Sequence, residues 1–209
     1  MAPKLPPILA RMERLGFDVF TSGEYNLNLF GIRDARHADT YNDLIGCAYI
    51  ADGTWRVEWW PATTDPGARY LKEPMKGTTG AASLVPGQYR GAWTIGPHGQ
   101  SGYTALVQRG GTVRVFRDSN RDTIHDHAEE SIEDGWFGIN IHAPQLDPYD
   151  RIVDYSERTV GGWSAGCQVH ATTLGFRRMM WLCHKQVEHG NGERFSYTLM
   201  HRLFGRRYA

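Results

Sequence analysis

One cysteine of this sequence stands in a setting suited to covalent chemistry. Cys167 closes the run Ser164-Ala-Gly-Cys167, which follows a polar stretch of the chain. Small residues in such a turn let the backbone approach a substrate closely. The setting predicts that Cys167 is a nucleophile and not a packing residue.

A cysteine nucleophile needs a base or a positive partner that lowers its pKa, and a histidine close in space commonly serves. His142 is the best candidate, because it ends a predicted strand, residues 136–142, whose other face carries Phe137, Ile139 and Ile141. An alternative stays open, in which Cys167 is a small core residue and His142 an ordinary histidine at a strand end.

These two segments resemble the catalytic segment of the L,D-transpeptidase family, in which a strand ending in His-Gly is followed by Ser-x-Gly-Cys, a hydrophobic residue and Arg. Here Ile141-His142 and Ser164–Cys167 match, whereas Ala143 replaces the Gly and Val169 the Arg. The resemblance implies a β-rich fold and a cysteine enzyme that acts on peptidoglycan stem peptides through an acyl-enzyme.

Further roles follow from this hypothesis. Cys167 attacks the carbonyl carbon, His142 takes the thiol proton, and the Ala143 carbonyl orients the imidazole. We expect the N–H groups of Gly166 and Cys167 to form the oxyanion hole, and Ser164 to stabilise the turn or contact substrate. The neighbouring residues expected to bind substrate are Trp163 and Asn140.

Most of the chain also resembles phage and prophage proteins that share its Ser-Ala-Gly-Cys-Gln-Val ending. The N-terminal segment lacks the apolar run of a signal peptide, so we expect synthesis in the cytoplasm and action on the wall as an endolysin or a virion component. This favours hydrolysis by a murein endopeptidase or carboxypeptidase. The alternatives are an L,D-transpeptidase that cross-links stem peptides and a non-catalytic virion or wall-binding protein.

Composition narrows the possible partners. Lys plus Arg and Asp plus Glu number 23 each, which argues against a nucleic-acid partner, and no apolar stretch is long enough to insert into a membrane. The basic ending of Arg202, Arg206 and Arg207 is expected to be a solvated tail. Three cysteines, at positions 47, 167 and 183, are odd in number and predict free thiols.

Metal ligands are considered at two places. Asp118–Asp122, continued to Glu129, has oxygen ligands at calcium-loop spacing, although an ordinary solvated turn is favoured. His142, Cys167 and His170 could hold zinc, but the usual glutamate base is missing, so no metal is assigned to the catalytic site. His125 and His127 are interpreted as surface residues.

Hydrophobic spacing and turn residues predict one α+β, β-rich domain over residues 1–209. A short helix follows Pro6 and Pro7, and a longer one, capped by Thr172 or Thr173, runs to about Gly190. The polar segment between His142 and Ser164, with Asp147, Tyr149, Asp150, Asp154 and Tyr155, is expected to shape substrate choice. The predicted strands cover 25–32, 44–50, 55–60, 88–95, 103–107, 112–116, 136–142 and 194–201.

Overall fold

The computed structural model describes residues 4–34, 39–99, 102–146 and 151–202. Asp147, Tyr149, Asp150, Arg206 and Arg207 lie outside them. Helix α1 covers Pro7–Arg14, α2 Ala68–Lys72 and α3 Thr173–Glu188. The strands are β1 (Asn28–Arg33), β2 (Asp43–Ala51), β3 (Thr54–Thr63), β4 (Ala81–Leu84), β5 (Gly87–Pro97), β6 (Thr104–Gln108), β7 (Val113–Asp118), β8 (Glu133–Gly135), β9 (Ile141–His142), β10 (Gln168–His170) and β11 (Arg194–His201).

The prediction of a β-rich α+β fold with a short N-terminal and a longer C-terminal helix is confirmed. Over the described ranges, eight strands form a closed barrel in the order β1-β11-β5-β6-β9-β10-β3-β2, and β4, β7 and β8 form a separate sheet. The β9–β10 and β1–β11 pairs are parallel, whereas the other pairs of the barrel are antiparallel.

Helix α3 is built as its sequence predicts. The Thr172 hydroxyl accepts the Gly175 N–H at 3.0 Å and so caps the first turn. The predicted apolar face packs into the main core, where Phe176 and Cys183 are buried. No helix within the described segments has the length and apolarity needed to span a membrane.

The predicted strand over residues 136–142 is mostly wrong. Only Ile141 and His142 pair as a strand. The Gln108 side-chain oxygen accepts the N–H groups of Phe137 and Ile139, at 3.2 and 3.0 Å, and Gly138 adopts φ +69°. A buried side chain thus replaces the strand partner, and the segment becomes a loop that opens onto a cleft.

Candidate active site

Two adjacent parallel strands bring Cys167 and His142 to one cleft. Gln168 pairs with Ile141 and Val169 with His142, so Cys167 lies just before β10, opposite the loop that leads into β9. The cleft has a volume of about 830 Å³. Its lining includes both residues together with Asn140 and Trp163, four of the residues singled out in the sequence.

The His142 imidazole is buried, and polar groups contact its Nδ1 atom. Its Nδ1 lies 2.7 Å from the Ala143 carbonyl oxygen and 3.2 Å from the Tyr103 hydroxyl, which itself donates to the same carbonyl. Donation from Nδ1 to this carbonyl leaves Nε2 as the acceptor of the neutral ring. The carbonyl contact expected for Ala143 is therefore present.

Burial, followed by the neighbouring His98, lowers the pKa of His142 to about 3. The two rings stack with their centroids 4.0 Å apart, and Asn140 Nδ2 lies 3.1 Å from His98 Nδ1. The imidazole is therefore uncharged at neutral pH, and a pKa this low makes it only a weak proton acceptor in this arrangement.

The Cys167 thiol is half-buried and contacts backbone groups. Its Sγ accepts the Asn140 N–H at 3.4 Å and donates to the Gly138 carbonyl at 3.5 Å. Burial raises the pKa of Cys167 to about 11, although the Asn140 N–H acts in the opposite direction. No hydrogen bond joins this thiol to His142. The raised pKa of Cys167 and the lowered pKa of His142 both favour the uncharged forms of the two groups.

Ser164 and Gly166 shape the turn and do not line the cleft. The buried Ser164 hydroxyl donates to the Cys167 carbonyl at 2.8 Å and accepts the Gly166 N–H at 3.1 Å. The expectation that the Gly166 N–H faces a substrate oxygen is therefore wrong. The Cys167 N–H has no acceptor among the residues that the structure covers, which leaves it available as an oxyanion donor.

Gly166 is required by its surroundings. It adopts φ +130°, and an added Cβ would lie 2.5 Å from the Ala82 carbonyl oxygen. The Gly67 N–H donates to the Ser164 carbonyl at 2.9 Å on another side of the turn. The turn that presents Cys167 is thus packed against the backbone of two other segments.

Sequence reasoning missed His98 and Tyr103. Both lie at the hairpin between β5 and β6, whose second strand pairs with β9. The available signal was a histidine in Pro97-His98-Gly99, a hairpin turn between two predicted strands. Nothing in the sequence pairs this turn with His142, because the contact depends on barrel closure.

The zinc alternative at His142, Cys167 and His170 does not fit the geometry. His170 is fully buried in the core, with its Nε2 3.3 Å from the Met179 sulfur. The three side chains do not converge as metal ligands within the described chain.

The loop from Asp118 to Glu129 closes on itself by hydrogen bonds. Asn120 Nδ2 donates to carboxylate oxygens of Asp122 and Asp126, at 3.0 and 2.7 Å, and Asp118 accepts the Asp126 N–H at 3.0 Å. Calcium binding at this loop stays a prediction.

Comparison with known proteins adds no relative. No family model matches the chain, and neither a curated protein nor a solved structure is significantly similar to it.

Proposed function

We propose that this protein is a cysteine peptidase of bacterial peptidoglycan that acts through an acyl-enzyme on Cys167. The observation that carries the proposal is the convergence of the Cys167 thiol and the oriented His142 imidazole on one cleft. The substrate class rests on the resemblance of Ile141-His142 and Ser164–Cys167 to the L,D-transpeptidases.

The residues of the cleft suit the steps of such a reaction. As substrate binds, the Cys167 proton passes to His142 Nε2 while Sγ bonds to the peptide carbonyl carbon. The Cys167 N–H stabilises the oxyanion, and His142 returns the proton to the leaving amine as the C–N bond breaks. Water then attacks the thioester, with His142 again as base, and releases the acid and the free thiol.

The lining of the cleft favours neutral substrate groups near the scissile bond. The described lining residues include no Asp, Glu, Lys or Arg, and aromatic side chains such as Tyr70, Phe137 and Trp163 supply much of the wall. Val169 replaces the arginine of the L,D-transpeptidases and is buried in an apolar cluster with Tyr155 and Val160. Recognition therefore rests on shape and backbone hydrogen bonds more than on ion pairs.

The test is digestion of purified peptidoglycan sacculi by the wild type and by Cys167→Ala, with the muropeptides identified by mass spectrometry. Wild-type protein should release fragments cut at stem or cross-bridge peptide bonds, and Cys167→Ala should release none. Cys183→Ala is the matched control, because this thiol is buried in the core and should be dispensable. If the products are stem peptides joined to an added amine acceptor, with no net cleavage, the reaction is transpeptidation and not hydrolysis.

A second candidate is a non-catalytic wall-binding protein. It is favoured by the resting site, in which the thiol has a raised pKa and no hydrogen bond to His142. Sacculi that retain both wild-type and Cys167→Ala protein in a pull-down, with no change in the muropeptides, would establish this role.

A further inference from the structure

A second cluster of chemically capable side chains lies outside the cleft. Asp65 follows the end of β3, and His125 and His127 belong to the loop after β7. The Asp65 Oδ1 atom lies 3.7 Å from His125 Nδ1 and 3.5 Å from His127 Nε2. The interpretation of these histidines as surface residues is therefore wrong, because their side chains are only 11% and 19% exposed.

His125 lacks partners for its polar atoms. Both of its ring nitrogens are buried, and neither has a hydrogen-bond partner in the structure. Buried polar atoms without partners are rare and costly, and an ion or a water molecule is a common reason for one. The orphaned Nδ1 lies 3.7 Å from a carboxylate oxygen of the buried Asp65, and this proximity favours an ion.

The spacing of the three donor atoms fits a small cation. Tetrahedral zinc with bonds of 2.0–2.1 Å separates its ligand atoms by roughly 3.3 Å. The two measured separations, 3.5 and 3.7 Å, exceed this value by only a few tenths of an ångström, and all three donors lie within 4.8 Å of one another. They are longer than ordinary hydrogen bonds.

We propose that Asp65, His125 and His127 form a binding site for a divalent transition-metal ion, with zinc as the best match to two imidazoles and one carboxylate. Calcium and magnesium prefer all-oxygen ligands and fit this site less well. Solvent or a neighbouring hydroxyl completes the coordination. The inference does not depend on the proposed peptidase activity.

The groups around Asp65 are those that orient a metal-binding carboxylate. The Ser83 hydroxyl donates to Asp65 Oδ1, and the fully buried Arg33 places a guanidinium nitrogen 3.1 Å from the same oxygen. Such outer contacts commonly fix the ligands of a metal site.

Arg33 also brings a positive charge close to the proposed cation, and the unfavourable interaction must be offset. A second buried carboxyl, Asp43, interacts electrostatically with Arg33. Asp43 also accepts hydrogen bonds from the Thr64 N–H and hydroxyl, both at 2.7 Å, next to Asp65 in the chain. The arginine is thus flanked by two carboxyl groups, Asp65 and Asp43.

The position of the cluster connects it with the nucleophile turn. Asp65 is two residues from Gly67, whose N–H binds the Ser164 carbonyl. Ser83 follows Ala82, whose carbonyl lies against Gly166. A metal at this cluster would join the Asp65 segment, which supports the turn carrying Cys167, to the loop after β7, and Ser83 would meet it through its hydrogen bond to Asp65.

The test is zinc titration of tag-free, chelator-treated protein by calorimetry, with metal content after dialysis as the second readout. We expect one zinc ion per chain, and binding at least roughly tenfold weaker in His125→Ala and His127→Ala. His184→Ala, which removes an exposed histidine of α3, and Cys167→Ala should bind zinc like the wild type. Cobalt in place of zinc should give visible absorption typical of nitrogen and oxygen ligands without a thiolate band.

Circular dichroism checks that each variant is folded. If His125→Ala does not fold, His127→Ala, which changes the more exposed histidine, provides the result. The proposal is overturned if the wild type binds no zinc, if both histidine variants bind it unchanged, or if Cys167→Ala abolishes binding. Binding of calcium but not zinc in the same titration would also overturn it.

Discussion

The imidazole of His142 is oriented by the carbonyl oxygen of the next residue, Ala143, which lies 2.7 Å from Nδ1. A backbone carbonyl thus serves where many catalytic histidines use a carboxylate. Because the contact comes from the backbone, the alanine side chain has no part in it. The neighbouring carbonyl therefore leaves Nε2 as the basic atom of the ring.

Tyr103→Phe should weaken this arrangement without unfolding the protein. The hydroxyl donates to the Ala143 carbonyl at 2.5 Å and lies 3.2 Å from His142 Nδ1. Loss of one such hydrogen bond, worth about 1 kcal/mol, should lower kcat/KM for sacculus cleavage by up to roughly tenfold. Tyr89→Phe is the control, because its hydroxyl donates to the Val85 carbonyl, away from the cleft. Equal activity of the two variants would mean that Tyr103 is only structural.

The reactivity of Cys167 should report its raised pKa. Iodoacetamide should label the folded protein at Cys167 alone, since Cys47 and Cys183 are buried. With a pKa of about 11, the labelling rate should rise about tenfold per pH unit from pH 7 to pH 10, as the thiolate fraction rises. The measurement is a time course of labelled peptides by mass spectrometry.

In this experiment Cys183→Ala should label like the wild type, and Cys167→Ala should not label while folded. A rate that is already maximal near pH 7 would contradict the resting geometry. It would show that His142 and Cys167 form an ion pair in solution.

The sequence predicted the elements whose signals are local. The cap at Thr172 and the apolar spacing from Phe176 to Val187 predicted α3, which begins at Thr173, and β11 covers the predicted 194–201. Residues 136–140 were predicted wrongly, because the Gln108 side chain takes the place of a strand partner. Local alternation cannot show this contact, which joins positions far apart in the chain.

The site shows the same division. Cys167 and His142 were singled out because their types and local turns are unusual, and the structure places both at one cleft. The stacking of His98 on His142 and the proximity of His125 to Asp65 could not be predicted, because both contacts depend on the packing of loops that are far apart in the chain. No pattern in the sequence connects Asp65 with the loop that follows β7.

Gly166→Ala should damage the turn far more than an ordinary glycine substitution. The new Cβ would lie 2.5 Å from the Ala82 carbonyl oxygen, and φ is +130°. Strain and overpacking together should lower the free energy of unfolding by about 3 kcal/mol or more. Gly190→Ala is the control: it also has a positive φ, +75°, but nothing lies within 4 Å, and it should cost only about 1 kcal/mol. Urea denaturation measures both, and equal losses would show that the backbone around Ala82 yields easily.

His170→Leu should make the protein more resistant to acid. Burial, followed by the electrostatic interaction with His142, lowers the pKa of His170 from 6.5 to about 3. Between these values the unfolded chain takes up a proton that the folded protein does not, so stability is complete above pH 6.5 and falls as the pH falls towards 3. From pH 7 to pH 5 this one group should remove about 2 kcal/mol from the free energy of unfolding of the wild type.

Urea denaturation at pH 7 and pH 5 measures this effect. Between these pH values the free energy of unfolding should decrease by about 2 kcal/mol less in His170→Leu than in the wild type. Burial and the neighbouring Asp65 raise the pKa of the buried Asp43 to about 7, so Asp43 changes the free energy of unfolding in the opposite direction over this pH range. Its contribution is the same in both proteins and cancels in the difference. Met179→Leu, which changes the neighbour of His170 Nε2 without removing a titrating group, should keep the wild-type decrease. A wild-type decrease in His170→Leu would contradict the prediction. It would mean that His170 takes up its proton at the same pH in the folded and unfolded chains. The complete burial of His170 against Trp60 and Phe176 argues against that outcome.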